Sequence, residues 1–142
     1  MNGKNGFISI FCILFFVSTA FGEKYDGIKV TNKCEESITV YLLTASREVV
    51  EMKLKRNSSD EYTPDQEEKF YGIKIRLDET EKSYDVKEGT EIKLHLGKAL
   101  GFGLTTEEES ELNLLKIVVK KSRGKIVIRG EDGKKIKWLR SI

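Results

Sequence analysis

Cysteine, histidine, proline and tryptophan are nearly absent from this 142-residue chain, which holds two, one, one and one of them. Each scarcity excludes something. Cys12 lies in an apolar N-terminal run, so the body of the chain keeps Cys34 alone. One cysteine cannot bridge internally, which excludes the disulfide-dense scaffolds of small secreted toxins, inhibitors and growth factors. Stability must come from apolar burial instead. A zinc site built from His and Cys also lacks ligands, since Cys34 and His95 would still need two carboxylates to close a tetrahedron. No Gly-x-Ser-x-Gly elbow marks a nucleophile. Asp60, Asp65, Glu67 and Glu68 offer oxygen ligands, but no Asp-x-Asp-x-Asp-Gly loop arranges them around calcium. No catalytic residue, metal site or cofactor is therefore expected.

The apolar content is concentrated first at the N-terminus. Lys4 leads into the uninterrupted run Phe7–Val17 (FISIFCILFFV), and Ala20 and Gly22 are the small residues that signal peptidase accepts before Glu23. The run is too short to span a bilayer, and no later segment approaches ~20 apolar residues. The sequence thus predicts a cleaved signal peptide over 1–22 and one domain over 23–142, secreted, extracellular and without a membrane span. About 120 residues suffice for a core without staples. Two modifications follow from that address. Asn57-Ser58-Ser59 is a glycosylation sequon in the polar stretch RNSSDEYTPDQEE. Cys34 is a candidate for an intermolecular disulfide joining a homodimer, with a buried inert thiol as the alternative.

Period-2 alternation runs through most of the remainder. Ile28 and Val30; Ile38, Val40 and Leu42; Val50, Met52 and Leu54; and Tyr71, Ile73, Ile75 and Leu77 form the first four stripes. Tyr84 and Val86, then Ile92, Leu94 and Leu96, continue them. Leu115, Ile117 and Val119, then Ile126 and Ile128, then Ile136 and Trp138, close the series. Turn-forming clusters separate them. About nine short strands predict an all-β, antiparallel β-sandwich or small barrel. The last three strands, 112–121, 125–129 and 134–140, should form a meander across tight Gly-containing links. Thr106 and Glu109 fit a capping box and allow one short helix at 107–112. Gly97, Gly101 and Gly103 nearby lack the Gly-Lys-Ser/Thr ending of a phosphate loop. His95, beside Lys93, is expected on a solvated strand face.

Val30-Thr31-Asn32-Lys33-Cys34 resembles the opening of thaumatin-like proteins, which rest on many disulfides that this chain cannot make. The lipocalin signature of Gly-x-Trp near the first strand is absent, because the tryptophan is Trp138. No functional residue is carried over from either.

The near-neutral total charge of +2 conceals a segregation. Residues 57–111 hold 7 basic and 15 acidic groups, whereas residues 116–142 hold 10 basic and 2 acidic ones. In the expected meander Lys116, Lys120, Lys125, Arg129, Lys135 and Lys137 share the face opposite the apolar stripe. Neighbouring strands lie only ~5 Å apart, so such like charges repel unless an anion or acidic group is near. Three outcomes are open: the lysines stay solvated and protect the sheet from edge pairing, the acidic middle folds over this face, or an acidic partner does. Outside a cell the partner is a glycosaminoglycan, an anionic lipid or an acidic protein; nucleic acid is disfavoured by secretion and by the lack of interleaved aromatics. The sequence is therefore read as a small non-catalytic binding or effector protein. An extracellular carrier of a small apolar ligand and a carboxylate-dependent hydrolase are the alternatives.

Overall fold

A computed structural model describes residues 21–45, 49–95 and 112–142. The fold is all-β, with eleven strands in two sheets that share one apolar core. In chain order these are β1 (Phe21–Tyr25), β2 (Gly27–Asn32), β3 (Ile38–Thr44), β4 (Val50–Leu54), β5 (Ser59–Tyr62), β6 (Glu68–Leu77), β7 (Thr80–Val86), β8 (Thr90–Leu94), β9 (Leu114–Ser122), β10 (Lys125–Gly130) and β11 (Leu139–Ser141). The apolar run of the expected signal peptide and most of the expected helix at 107–112 lie outside the described residues. The expected cut before Glu23 falls two residues into β1. Among the described residues no helix is long and apolar enough to cross a membrane.

The sheets are mixed, which corrects the purely antiparallel expectation. The larger sheet carries β1-β8-β6-β3-β4, with β7 on β6 and β11 on β7; the smaller carries β10-β9-β2-β5. Two pairs are parallel, β1 with β8 and β2 with β9. Both follow from one crossing. At Asp26 the chain passes from β1 in the larger sheet to β2 in the smaller, and each strand then meets a later one running the same way. Asn113 fixes this crossing. The Asp26 amide donates to the Asn113 carbonyl at 2.7 Å, and the Asn113 amide donates to Asp26 Oδ2 at 2.7 Å. The clip brings Gly27 opposite Leu114, so Ile28, Val30 and Asn32 lie beside Leu115, Ile117 and Val119.

The long strand β6 organises the larger sheet. One edge pairs with β3; along the other, β7 takes Gly72–Leu77 and β8 takes Glu68–Phe70. A bulge leaves Tyr71 without a partner on β3, since Leu43 opposes Gly72 and Thr44 opposes Phe70. An extra residue reverses which parity faces inward. Phe70 is therefore buried and Tyr71 is 52% exposed, the reverse of the expected stripe. Gly72 is required at this bend, because a Cβ there would meet the Tyr84 carbonyl at 2.4 Å.

The expected third strand of the meander does not form. β9 and β10 pair as a hairpin from Lys125↔Ser122 to Gly130↔Ile117, but residues 131–138 then leave β10. They cross the gap between the sheets, and β11 joins β7 in the larger sheet. Trp138 anchors this strap, edge-on to Phe70 with ring centroids 6.3 Å apart, while its carbonyl accepts the Lys87 amide at 2.9 Å.

Among the described residues, one polar side chain is fully buried. The Asn32 side-chain amide donates to the carbonyls of Glu36 and Leu54 at 2.9 and 3.0 Å, and its Oδ1 accepts the Cys34 amide at 2.8 Å. Its backbone amide donates to Ser58, and its carbonyl accepts from Asn57. The side chain and backbone thus leave no donor without a partner, so burial carries no orphan penalty. Asn57 itself has φ 59° and is exposed at the start of the turn into β5, a left-handed position that asparagine tolerates better than β-branched residues.

Two stability predictions follow. Asn32→Ala strands Glu36 O, Leu54 O and the Cys34 amide, and should lower unfolding free energy by about 3 kcal/mol with an unchanged denaturant slope. Asn57→Gly should stay within about 0.5 kcal/mol of wild type while Asn57→Val loses about 1–2 kcal/mol, both read from urea melts of unglycosylated protein.

Candidate functional site

The alternation that buries Ile28, Val30, Leu115, Ile117 and Val119 turns lysines outward on the smaller sheet. Lys29 and Lys116 are register partners on β2 and β9, and Lys120 lies further along β9. Lys33 and Lys121 complete a shallow groove of about 690 Å³ whose floor includes Thr31 and Val118. Lys29 and Lys33 belong to this face although they stand far from the basic C-terminal third. The signal was present in the period-2 pattern of β2, but only the parallel pairing with β9 brings it alongside Lys116.

The six expected basic residues do not form one face. Lys116 and Lys120 are exposed there as the alternation predicts, and Lys125 is exposed at the start of β10. Arg129 is half buried, with Nη1 donating to its own neighbour's carbonyl at Ile128 (3.1 Å), and it lines a small cavity with Tyr84 instead. Lys135 and Lys137 belong to the strap and are separated from the sheet face, because the third strand that would have carried them is absent.

Among the described residues, the acidic middle of the chain pairs none of its carboxylates with a lysine of the smaller sheet. Its carboxylates pair with cations of the larger one: Glu91 with Lys69 and Lys93, Glu67 with Lys93, Glu81 with Arg76, and Asp85 with Arg140. Only two ion pairs reach the lysine groove among the described residues, Lys116 with Glu131 at 3.4 Å and Lys121 with Glu36 at 2.9 Å. The second pair holds the Glu36 carboxyl below and the Lys121 ammonium above their ordinary values through their shared hydrogen bond. Lys29, Lys33 and Lys120 form no ion pair among the described residues. Glu61 opposes Lys29 in register without closing on it.

A second concavity opens between the sheets at the other side of Lys116. It measures about 620 Å³ and is walled by Tyr25, Leu115, Ile136 and Trp138. Its mouth carries Lys87, Lys116, Lys134, Lys135 and Lys137 with Glu23 and Asp132. Glu23 accepts the Tyr25 hydroxyl, and Asp132 Oδ1 accepts the Lys134 amide at 3.0 Å, so both carboxylates already hold donors. Burial and the Glu23 carboxylate raise the Tyr25 hydroxyl above its ordinary value, which keeps it a neutral donor.

The remaining candidates are isolated. Among the described residues no three His, Cys, Asp or Glu side chains gather closely enough to hold a metal. His95 is half buried rather than solvated, with Nδ1 buried and without a partner among the described residues. Cys34 is 2% exposed in the core, its Sγ 3.9 Å from the Val119 carbonyl oxygen. Burial pushes its thiol up, Glu36 adds to the rise, and Lys121 partly offsets it. Such a sulfur is presented to no second copy, so a disulfide-linked homodimer requires the 33–37 turn to open. No protein-family model matches the chain, and no curated protein matches it.

Cys34 should accordingly resist alkylation in the native protein at pH 7 and react fully once unfolded, as peptide mapping of the label will show; rapid native labelling at Cys34 would contradict the buried placement.

Proposed function

We propose that the chain is a secreted, non-catalytic binding protein, glycosylated at Asn57, whose smaller sheet engages a sulfated extracellular polysaccharide. The observation that carries this reading is the register pairing of Lys29 with Lys116, flanked by Lys33 and Lys120, where Lys29, Lys33 and Lys120 form no ion pair among the described residues. Two ammonium groups on neighbouring strands repel, and a polyanion laid across β2 and β9 converts that repulsion into attraction at each position. A repeating polymer suits a groove that is long, shallow and polar better than a compact ligand does. The groove offers Val118 as its apolar floor and no aromatic ring, which favours a sulfated chain over an inserted lipid surface.

The glycan proposed at Asn57 is compatible with this use. Asn57 is exposed in the β4–β5 turn, and Ser59 opens β5, which is the outer strand beside β2. The lysines lie on β2 and β9, so the groove is approached from the strands rather than from the turn.

Retention on immobilised heparin tests the reading. Wild type should bind at 0.05 M salt and elute as ions screen the contact. Lys29→Glu with Lys120→Glu should elute at clearly lower salt than Lys53→Glu with Arg56→Glu, which changes net charge equally on exposed positions elsewhere. Flow-through of wild type, or equal elution of the two double variants, would overturn the proposal.

A further inference from the structure

We infer that the cleft between the sheets, under the 131–138 strap, is a second binding site, and that it takes a small amphipathic anion: an apolar body carrying one carboxylate. The volume of about 620 Å³ lies within the range of small-ligand sites, roughly 300–1,000 Å³. The walls and the mouth demand different chemistry. Tyr25, Leu115, Ile136 and Trp138 present ring and aliphatic carbon, which a flexible apolar chain covers. The strap and the turn before β8 supply the mouth with four lysines, Lys87, Lys134, Lys135 and Lys137, against one carboxylate, Asp132. Of the mouth's lysines only Lys116 is held by an ion pair among the described residues. Two carboxylates share the lining with five lysines, Glu23 accepting the Tyr25 hydroxyl and Asp132 the Lys134 amide, so the lysines outnumber the acidic groups. A neutral ligand leaves those ammonium groups unmatched, and a cationic one meets repulsion.

The strap explains why the cleft exists. Trp138 packs one edge on Phe70 while lining the cleft, so the tryptophan is both the anchor of the strap and part of the wall. This site opens on the other side of Lys116, which it shares with the polysaccharide face together with Gly130. It uses strap residues and the interior ends of β1 and β9, whereas the groove uses Lys29, Lys33 and Lys120 on the outer surface.

Trp138 is the sole tryptophan of the full chain, so its emission reports directly on the cleft. Dodecanoate below its micelle threshold should produce a saturable change in that emission with the strand circular-dichroism signal intact. Dodecyltrimethylammonium and dodecyl maltoside should bind at least about tenfold more weakly, and Lys135→Glu with Lys137→Glu should weaken dodecanoate about tenfold, as two lost ion pairs of moderate strength imply. Lys29→Glu with Lys120→Glu should leave dodecanoate affinity unchanged, so the two sites fail separately. No saturable change, equal affinity for the three amphiphiles, no effect of the strap variants, a response only to anionic vesicles, or loss of the strand signal on titration would each overturn the inference.

Discussion

The hydrogen-bond set of Asn32 is the constraint on which the rest of the molecule depends. β2 ends there, and so does the freedom of three other segments. Through the side chain, the 33–37 turn and the end of β4 are tied to β2; through the backbone, the turn into β5 is tied as well. β4 belongs to the larger sheet and β2 and β5 to the smaller, so this one residue joins the sheets at one end of the core. Any apolar residue of similar size would fill the space but would strand two carbonyls and an amide away from water, at roughly 1–3 kcal/mol each. Among the described residues the opposite end has no equivalent lock. There the Asp26–Asn113 clip ties β1 to β9 along one side, and the space between the sheets stays open beside Tyr25 and Leu115.

A core closed at one end and open at the other gives the charged groups a defined stage. Among the described residues, Glu67, Glu81, Asp85 and Glu91 of the acidic middle meet Lys69, Arg76, Lys93 and Arg140 on the larger sheet. Exposed pairs of this kind contribute little stability individually, about 0–1 kcal/mol. Their consequence is distributional. On the smaller sheet, Lys29, Lys33 and Lys120 are left without an ion pair among the described residues. The segregation visible along the sequence thus becomes a segregation between two sheets, with Lys29 and Lys33 recruited from a stretch whose own charge is nearly balanced.

Much of the fold was legible because alternation is a direct consequence of strand geometry. The buried positions of β2, β3, β9 and β10 follow it without exception at their apolar residues. The failures have separate physical causes. β5 is Ser-Asp-Glu-Tyr, a strand held by backbone pairing with β2 and carrying no apolar stripe to announce it. Tyr71 and Phe70 exchanged places because a bulge is a property of two paired strands, and neither strand's pattern contains it alone. The parallel pairs depend on the crossing at Asp26, fixed by an asparagine 87 residues away. Of the six expected basic residues, Lys116, Lys120 and Lys125 kept their exposure, whereas Lys135 and Lys137 moved with the strap.

The strap shows why pattern alone misassigned them. Ile136-Lys137-Trp138 alternates as a strand should, and the edge of β10 was available to receive it. Pairing there would have gained ladder hydrogen bonds, each worth about 0.5–1.5 kcal/mol net because water competes for the same groups. Crossing to the larger sheet instead buries Trp138 against Phe70 and Leu139 within the core, at roughly 1.5–3 kcal/mol for each large apolar side chain, and still recovers a short ladder with β7. The turn permits the departure. Gly133 adopts φ +83°, the Gly130 amide donates to Lys134, and Asp132 caps the Lys134 amide, which redirects the chain without a continued hairpin. Burial outweighs pairing, and the basic residues move with the chain: Lys135 and Lys137, lost to the sheet face, stand instead at the mouth of an apolar cleft.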